Sequence, residues 1–330
     1  MKLKAFVGTL AIAATLATTA AKAEDTLKVK LDFLPWGIHA ALHLAKAKGW
    51  YKEAGLNVEI TDGKGSGLTI QQVASGEVDI GQVQLNAVAV ARSQGIPVKS
   101  IAGFVRRSDL GAIVPEDSSI NSVKDLAGKK VAYVAATSLG ALAEPFLLAG
   151  GVPRKDINLV NVDASSQMSI YLSGAVDSVL VNIPLGIPAA AGKRPSKGLL
   201  LADVGMNLPS YGLMTSDSTL KNKAELLKRF VPVAIRAWEY LYDGNASHID
   251  EGVQAILSQR SDEKLDPDIL KAQVAEYGKF LFTDATKGKR VGWQAEEDWA
   301  AAIPIMEKAG LIKPGFKPGD FYTNDFITPP

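Results

Sequence analysis

The stretch LKVKLDFLPWGIHAALHLAKAKGWYKEAGLNVEI, residues 27–60, carries two hydrophobic periods in succession. Leu27–Leu34 alternates apolar and polar residues as a strand does, Ile38–Lys48 spaces its apolar residues as a helix does, and Leu56–Thr61 alternates again. The same order continues downstream, with a helix expected over Leu68–Ala74, a strand over Val78–Val83, a helix over Leu85–Ser93 and a strand over Val98–Phe104. Strands and helices in alternation predict an α/β fold, with a parallel sheet covered by crossover helices. Gly49, Gly55, Gly76 and Gly95 fall where such a chain must turn.

A second set of the same kind opens near Leu126. Strands are expected over Lys129–Ala135, Ile157–Val162 and Val176–Val181, and helices over Leu139–Leu148 and Ser166–Leu172. Asp177 takes the local position of Asp79, each beside a short apolar strand that follows Ser-Gly, so the halves read as variants of one plan without forming a sequence repeat. From Lys221 onward helical patterns dominate: Leu226–Tyr242, Ile249–Ser258, Pro267–Phe280 and Glu296–Ala309. This tail is expected to pack around a lobe already built rather than to make a third one.

Residues 1–23, MKLKAFVGTLAIAATLATTAAKA, have the order of a secretory signal peptide: basic start, apolar run, small-residue end. The apolar run is shorter than a spanning helix needs, which disfavours a membrane anchor. Export to a periplasm as a soluble protein is the expectation, and the chain has no cysteine for disulfides or a bacterial lipid anchor. Three of the 36 Lys and Arg and none of the 35 Asp and Glu lie in 1–23, so the remainder carries 33 basic against 35 acidic residues. That balance leaves no basic domain for nucleic acid. About 307 residues remain, enough for two hydrophobic cores.

The runs at 31–60, at 63–98 (GKGSGLTIQQVASGEVDIGQVQLNAVAVARSQGIPV) and at 119–133 (SINSVKDLAGKKVAY) resemble the substrate-binding proteins of bacterial ABC importers. The likeness is to the nitrate, sulfonate and taurine superfamily, above all its branch for thiamine pyrimidine precursors. It implies a two-lobe periplasmic binding protein fold with two hinge crossings, the tail being a helical C-terminal extension. Lobe one would comprise 24–112 and 212–330, and lobe two 113–211. It implies further a small organic ligand held by lobe closure, an inner-membrane ABC permease as partner, a monomer, and no cofactor. A histidine of the pyrimidine branch carries over to His39, although that branch's neighbouring Asn and Thr residues are replaced here by Gly37, Ile38 and Ala40.

Physical reasoning places ligand groups at the same edge, where strand C-termini and helix N-termini meet. In LPWGIH (34–39), Trp36 offers a broad ring and His39 two ring nitrogens, a pair suited to clamping a flat ring, with core packing as the plain alternative. His43 falls inside the helix repeat and reads as core. In Gly63-Lys64-Gly65-Ser66-Gly67, glycine N–H groups facing inward and Ser66 as a helix cap would hold an anion or carbonyl oxygen, unless the run is a simple turn. Gln82 and Gln84 close the third strand, and at most one of them is expected to face the cleft. Thr137 and Ser138 precede a helical stretch on the opposite wall and offer a second oxyanion site; Asn182 ends a strand deeper in that lobe, and Tyr211 sits at the return crossing. Arg106 and Arg107 are as well placed for surface or lobe–lobe pairing as for a ligand anion.

Enzyme readings fare poorly. Only His39, His43 and His248 are present, HAALH lacks the glutamate of HExxH, and no Gly-x-Ser-x-Gly occurs. No metal site is expected. A synthase of the pyrimidine pathway resembles this fold, but its chemistry is associated with a cysteine-rich segment absent here. A pyrimidine-like heterocycle or aromatic carboxylate is the expected ligand, with an aliphatic sulfonate of the taurine type next and an exported interaction module as the rival of another class.

Overall fold

The computed structural model describes residues 24–135, 137 and 139–327; the expected signal peptide at 1–23, and Ser138, lie outside the described residues. Among the described residues, ten strands form two sheets. They are β1 (Asp25–Leu31), β2 (Leu56–Thr61), β3 (Ile80–Gln84), β4 (Val98–Gly103), β5 (Leu110–Pro115), β6 (Lys130–Tyr133), β7 (Asn158–Asn161), β8 (Ser178–Asn182), β9 (Ser196–Leu200) and β10 (Tyr211–Ser216). The first sheet has the order β2-β1-β3-β10-β4 and the second β7-β6-β8-β5-β9. In each, three strands are parallel (β1 with β2 and β3, β6 with β7 and β8) and the fourth is antiparallel to both its neighbours. That fourth strand, β10 in one sheet and β5 in the other, enters directly from a crossing between the sheets.

The sheets are therefore mixed, where the sequence reading expects parallel strands alone, and β5, β9 and β10 are additions to it. The cause lies in burial: β10 (YGLMTS) is buried at every position and β5 (LGAIVP) at all but its last, so neither shows the alternation that marks a half-exposed strand. Strand β5 is continuous across residue 112, and β10 already belongs to the first sheet at Tyr211. The chain passes between the two sheets within residues 104–109 and 201–210, close to the expected lobe boundaries at 112/113 and 211/212.

Matching contacts recur in the two lobes. Asp79 Oδ2 accepts the Lys28 N–H at 2.9 Å while the Asp79 N–H donates to the Lys28 carbonyl at 3.0 Å. Asp177 does the same with Lys130, at 2.8 and 3.0 Å. Each carboxylate ties the central strand to its neighbour at the point where the neighbour begins. The second residue of each inserted strand is also a glycine. A Cβ on Gly212 would lie 2.1 Å from the Ala102 carbonyl oxygen, and one on Gly111 would lie 2.3 Å from that of Leu199.

The C-terminal helices cover lobe one. Ala224–Leu241 buries Leu227, Phe230, Val231, Ala234, Ile235, Trp238 and Leu241, one stripe at helical spacing. Phe230 stacks on Tyr51 at 5.2 Å between ring centroids and Trp238 on Phe104 at 4.8 Å. The helix Pro267–Tyr277 packs on the turn Gly37–His39 and also touches the lobe-two helix Ile183–Ala190. Arg106, read as suited to surface or lobe–lobe pairing or to a ligand anion, is buried against the C-terminal segment: Nε donates to the Leu281 carbonyl at 2.6 Å, and Nη1 to those of Arg290 and Trp293 at 3.1 and 3.0 Å. Burial lowers its pKa to about 10. It straps the C-terminal segment to the first crossing.

The close approaches at the two glycines set an expected outcome. Gly212→Ala and Gly111→Ala each force strand against strand and lower stability by about 1–3 kcal/mol, read as a fall in urea midpoint; an unchanged midpoint for both would contradict the packing described.

Candidate functional site

The C-terminal ends of β1, β3 and β8 meet the start of β10 at a cleft of about 250 Å3 between the lobes. Asp32, Phe33, Trp36, Ser66, Gln84 and Tyr211 line it from lobe one; Thr137, Gln167, Met168, Asn182 and Leu185 line it from lobe two. Wider hollows of about 690 and 720 Å3 lie elsewhere, but none of the described buried polar atoms that lack a partner belongs to their walls. The interlobe cleft has two such groups, Trp36 Nε1 and Gln84 Nε2.

Asp32, which the strand alternation concealed, organises the lobe-one wall. Its Oδ2 accepts the Tyr211 hydroxyl at 2.8 Å and its Oδ1 meets His39 Nε2 at 3.1 Å. His39 is fully buried and lies behind Asp32, outside the cleft lining, so it braces the carboxylate where a direct ligand contact was expected. Trp36 is only 4% exposed, wedged edge-on against His39 and Tyr211 and tilted against Tyr277, with centroids 6.0, 5.8 and 5.6 Å away. The ring at this edge that retains partial exposure is Phe33. Tyr211 is buried, and burial raises its phenol well above the ordinary value, with Asp32 and Asp109 adding to the effect.

The glycine run does not form an anion nest. Gly63 and Gly65 donate their N–H groups to the carbonyls of Phe33 and Asp32, at 3.1 and 2.5 Å, so these donors knit two loops together and are spent. A Cβ at Gly63 would meet the Leu31 carbonyl oxygen at 2.1 Å, and Gly65 has a φ of +118°. Ser66 is the first residue of its helix, Ser66–Ala74, two positions earlier than expected, and makes no cap; its Oγ accepts the Gln84 N–H at 3.2 Å. Ser66 lines the cleft.

Of the two glutamines, Gln84 lines the cleft, whereas Gln82 is buried behind it with Nε2 donating to the Ile38 carbonyl at 2.9 Å. On the facing wall, Thr137 Oγ1 donates to the Val134 carbonyl at 2.8 Å and accepts the Gly140 N–H at 3.2 Å. The helix that follows starts at Ala143, not Leu139, so Thr137 closes its own turn and does not cap a helix. Asn182 stands before the helix Ile183–Ala190 and donates Nδ2 to Asp109 Oδ2 at 2.9 Å. Gln84 and Asn182 are equivalents, each the last residue of the third parallel strand in its sheet.

Residues 36–245 match the family model described as "NMT1/THI5 like". The chain belongs to the NMT1/THI5-like family. Among family relatives, it is 24% identical over 292 residues to the formylaminopyrimidine-binding protein of Halalkalibacterium halodurans, covering 87% of this chain and 86% of the relative. It is 23% identical over 329 residues to the riboflavin-binding protein RibY of Chloroflexus aurantiacus, covering 96% and 90%. A third relative, at 24% over 88% of this chain and 84% of its own length, is named 4-amino-5-hydroxymethyl-2-methylpyrimidine phosphate synthase, from Aspergillus parasiticus. Solved structures with the same fold include the alkanesulfonate-binding protein SsuA of Xanthomonas axonopodis pv. citri bound to MOPS, with TM-score 0.68 and 14% identity over 92% and 99% of the two chains. The periplasmic nitrate-binding protein NrtA of Synechocystis PCC 6803 matches with TM-score 0.67 and 16% identity over 91% and 86%. The fold of this NMT1/THI5-like chain is thus the two-lobe periplasmic binding protein fold.

Among the described residues, no group of three or more His, Asp or Glu is placed to hold a metal, and no helix is long and apolar enough to cross a membrane. His43, the other half of HAALH, is buried with Nδ1 against Gln259 Oε1 at 3.0 Å, and burial lowers its pKa to about 3. Because the unfolded imidazole takes up a proton near 6.5 and the folded one refuses it until about 3, stability falls as pH drops through that window. The slope is at most about 1.4 kcal/mol per pH unit. Urea unfolding between pH 7 and 4 should show that component in the natural chain and not in His43→Gln; equal slopes would remove His43 from the account.

Proposed function

We propose that this chain is the solute-binding component of an ABC importer, working in the periplasm as a soluble, unanchored monomer that closes its lobes on one small flat heterocycle. Lobe one would comprise the strands up to residue 103 and the chain from Tyr211 onward, lobe two residues 110–200, with delivery to an inner-membrane ABC permease. The observation that carries this reading is the buried, partnerless N–H pair, Trp36 Nε1 and Gln84 Nε2, on the wall of a cleft drawn from both lobes. Donors left without a partner in the protein are costly unless a ligand or water meets them.

Ligand contacts are assigned to Trp36, Ser66, Gln84, Thr137, Asn182 and Tyr211, joined by Asp32 and Phe33, with His39 and Gln82 in support and Ser138 retained from its position beside Thr137. The cleft, at about 250 Å3, lies just under the usual range for ligand clefts. A single ring with small substituents suits it better than a three-ring flavin, which favours a pyrimidine-like compound of the kind named for the Halalkalibacterium relative. A taurine-like sulfonate is disfavoured, because the carboxylate of Asp32 lines the wall and the Gly63 and Gly65 N–H groups are already engaged. Absence of cysteine supports binding over the chemistry of the fungal synthases.

Calorimetry with a 4-aminopyrimidine, riboflavin and taurine, preceded by native mass spectrometry for retained ligand, tests this. The aminopyrimidine should bind, and Phe33→Ala and Trp36→Ala should each weaken it by about 0.5–1.5 kcal/mol beyond lost buried area. Taurine binding that survives both substitutions, with no heterocycle bound, would replace this reading by the sulfonate one.

A further inference from the structure

Asp109 is fully buried in the first crossing, and its side chain meets groups from three other segments. Oδ2 accepts Asn182 Nδ2 at 2.9 Å and the Tyr277 hydroxyl at 3.1 Å. Oδ1 lies against Ser210 Oγ, and Ser210 Oγ also lies 2.9 Å from Gln84 Oε1. A serine hydroxyl owns one proton, and neither an amide oxygen nor a carboxylate donates one. Ser210 therefore cannot serve both neighbours unless one of them supplies a hydrogen. A proton on Asp109 Oδ1 completes the set: Asp109 donates to Ser210, Ser210 donates to Gln84 Oε1, and Tyr277 and Asn182 donate to Oδ2. Gln84 Nε2 is then the amide end turned away from Ser210, on the side of the Tyr211 phenol and the cleft, where it makes no protein hydrogen bond of normal length.

The groups around the carboxyl favour the neutral form. No Lys, Arg or His makes a hydrogen bond or ion pair with it among the described residues; the titratable groups that face it are Tyr277 of the helix Pro267–Tyr277 and Tyr211 of β10, with Asp32 beyond Tyr211. Burial pushes the Asp109 carboxyl above its ordinary value, opposed only in part by hydrogen bonds from Ser210, Asn182 and Tyr277.

We propose that Asp109 is a neutral acid in the folded protein, and that its proton, relayed through Ser210, holds the Gln84 amide with its donor end toward the cleft. Ionisation reverses the relay. Ser210 then gives its hydrogen to the carboxylate, and Gln84 is satisfied only with Nε2 turned to Ser210 Oγ and Oε1 toward the cleft. Asp109 is thus a positioning residue that decides whether Gln84 offers a ligand donors or an acceptor. The inference requires no particular ligand, and its test uses none, so it stands or falls apart from the importer reading.

Carboxyl-carbon NMR of Asp109 and side-chain amide NMR of Gln84 are followed against pH in the full chain, in Asp109→Asn and in Ser210→Ala. The asparagine copies the neutral acid, with Nδ2 donating to Ser210 and Oδ1 accepting. The natural chain should titrate at Asp109 above the usual value of about 3.9, with the Gln84 signals moving at the same midpoint. Gln84 should be pH-independent in Asp109→Asn, and in Ser210→Ala it should no longer follow Asp109. Because the folded state holds the proton more tightly, its folding equilibrium constant falls as pH rises from the unfolded to the folded carboxyl pKa, by up to about tenfold per pH unit; Asp109→Asn lacks this fall. An Asp109 carboxyl already ionised at neutral pH, or Gln84 signals that titrate alike with and without Asp109, overturns the proposal. Should the asparagine variant fail to fold, the Gln84 signals of the natural chain against those of Ser210→Ala decide between the same two outcomes.

Discussion

The carbonyl of Tyr211 accepts two backbone donors, the N–H groups of Phe104 and Val105 at 2.9 and 3.0 Å, while the Ser210 N–H donates to the Val105 carbonyl at 3.0 Å. These bonds hold the two crossings side by side. Everything at the cleft follows from that pairing: it sets Tyr211 beside Trp36, aims the phenol at Asp32, and brings Ser210 against Asp109. The segment that joins the lobes and the floor of the cleft share residues, so a substitution there changes the link between the lobes and the polar lining together.

The two lobes repeat one another closely enough that their differences carry meaning. The carbonyl of Ser210 accepts the Leu85 N–H at 2.6 Å, and that of Asp109 accepts the Ile183 N–H at 2.8 Å, so both residues hold the helix that follows a cleft-lining amide. In register, Tyr211 faces Gln84 and Leu110 faces Asn182. Backbone roles match while side chains diverge: serine against aspartate, glutamine against asparagine, tyrosine against leucine. Strand order and these backbone roles match between the lobes, while the side chains at and behind the cleft differ.

Much of the scaffold is legible in the sequence because a half-exposed strand advertises itself. LNVEIT alternates, and β2 is found there with a strictly alternating burial pattern. Strands buried on both faces do not, which is why LGAIVP and YGLMTS escape the reading. At the cleft, residue types that end strands in an apolar context, Gln84 and Asn182, stand out, and so do Trp36 and Tyr211. Asp32 does not, since an acid in LKVKLDFL passes for one more outward residue; only the three-dimensional return of β10 brings a phenol to it. The anion nest expected of the glycine run is missing for a related reason: composition shows that the Gly63 and Gly65 N–H groups are available, and only the neighbouring loop shows that they are spent.

Insertion of β10 between β3 and β4 has a consequence for the order in which the chain can acquire structure. The strands of lobe two form one continuous stretch ending at residue 200, so that sheet can be complete while the chain is still being made. Lobe one cannot: until residues 211–216 emerge, β3 and β4 have no partner between them and both present open edges, and the Ala224–Leu241 stripe that covers Tyr51 and Phe104 follows later still. The amino-terminal sheet is therefore the last to close, and a nascent chain waits longest with its earliest strands exposed.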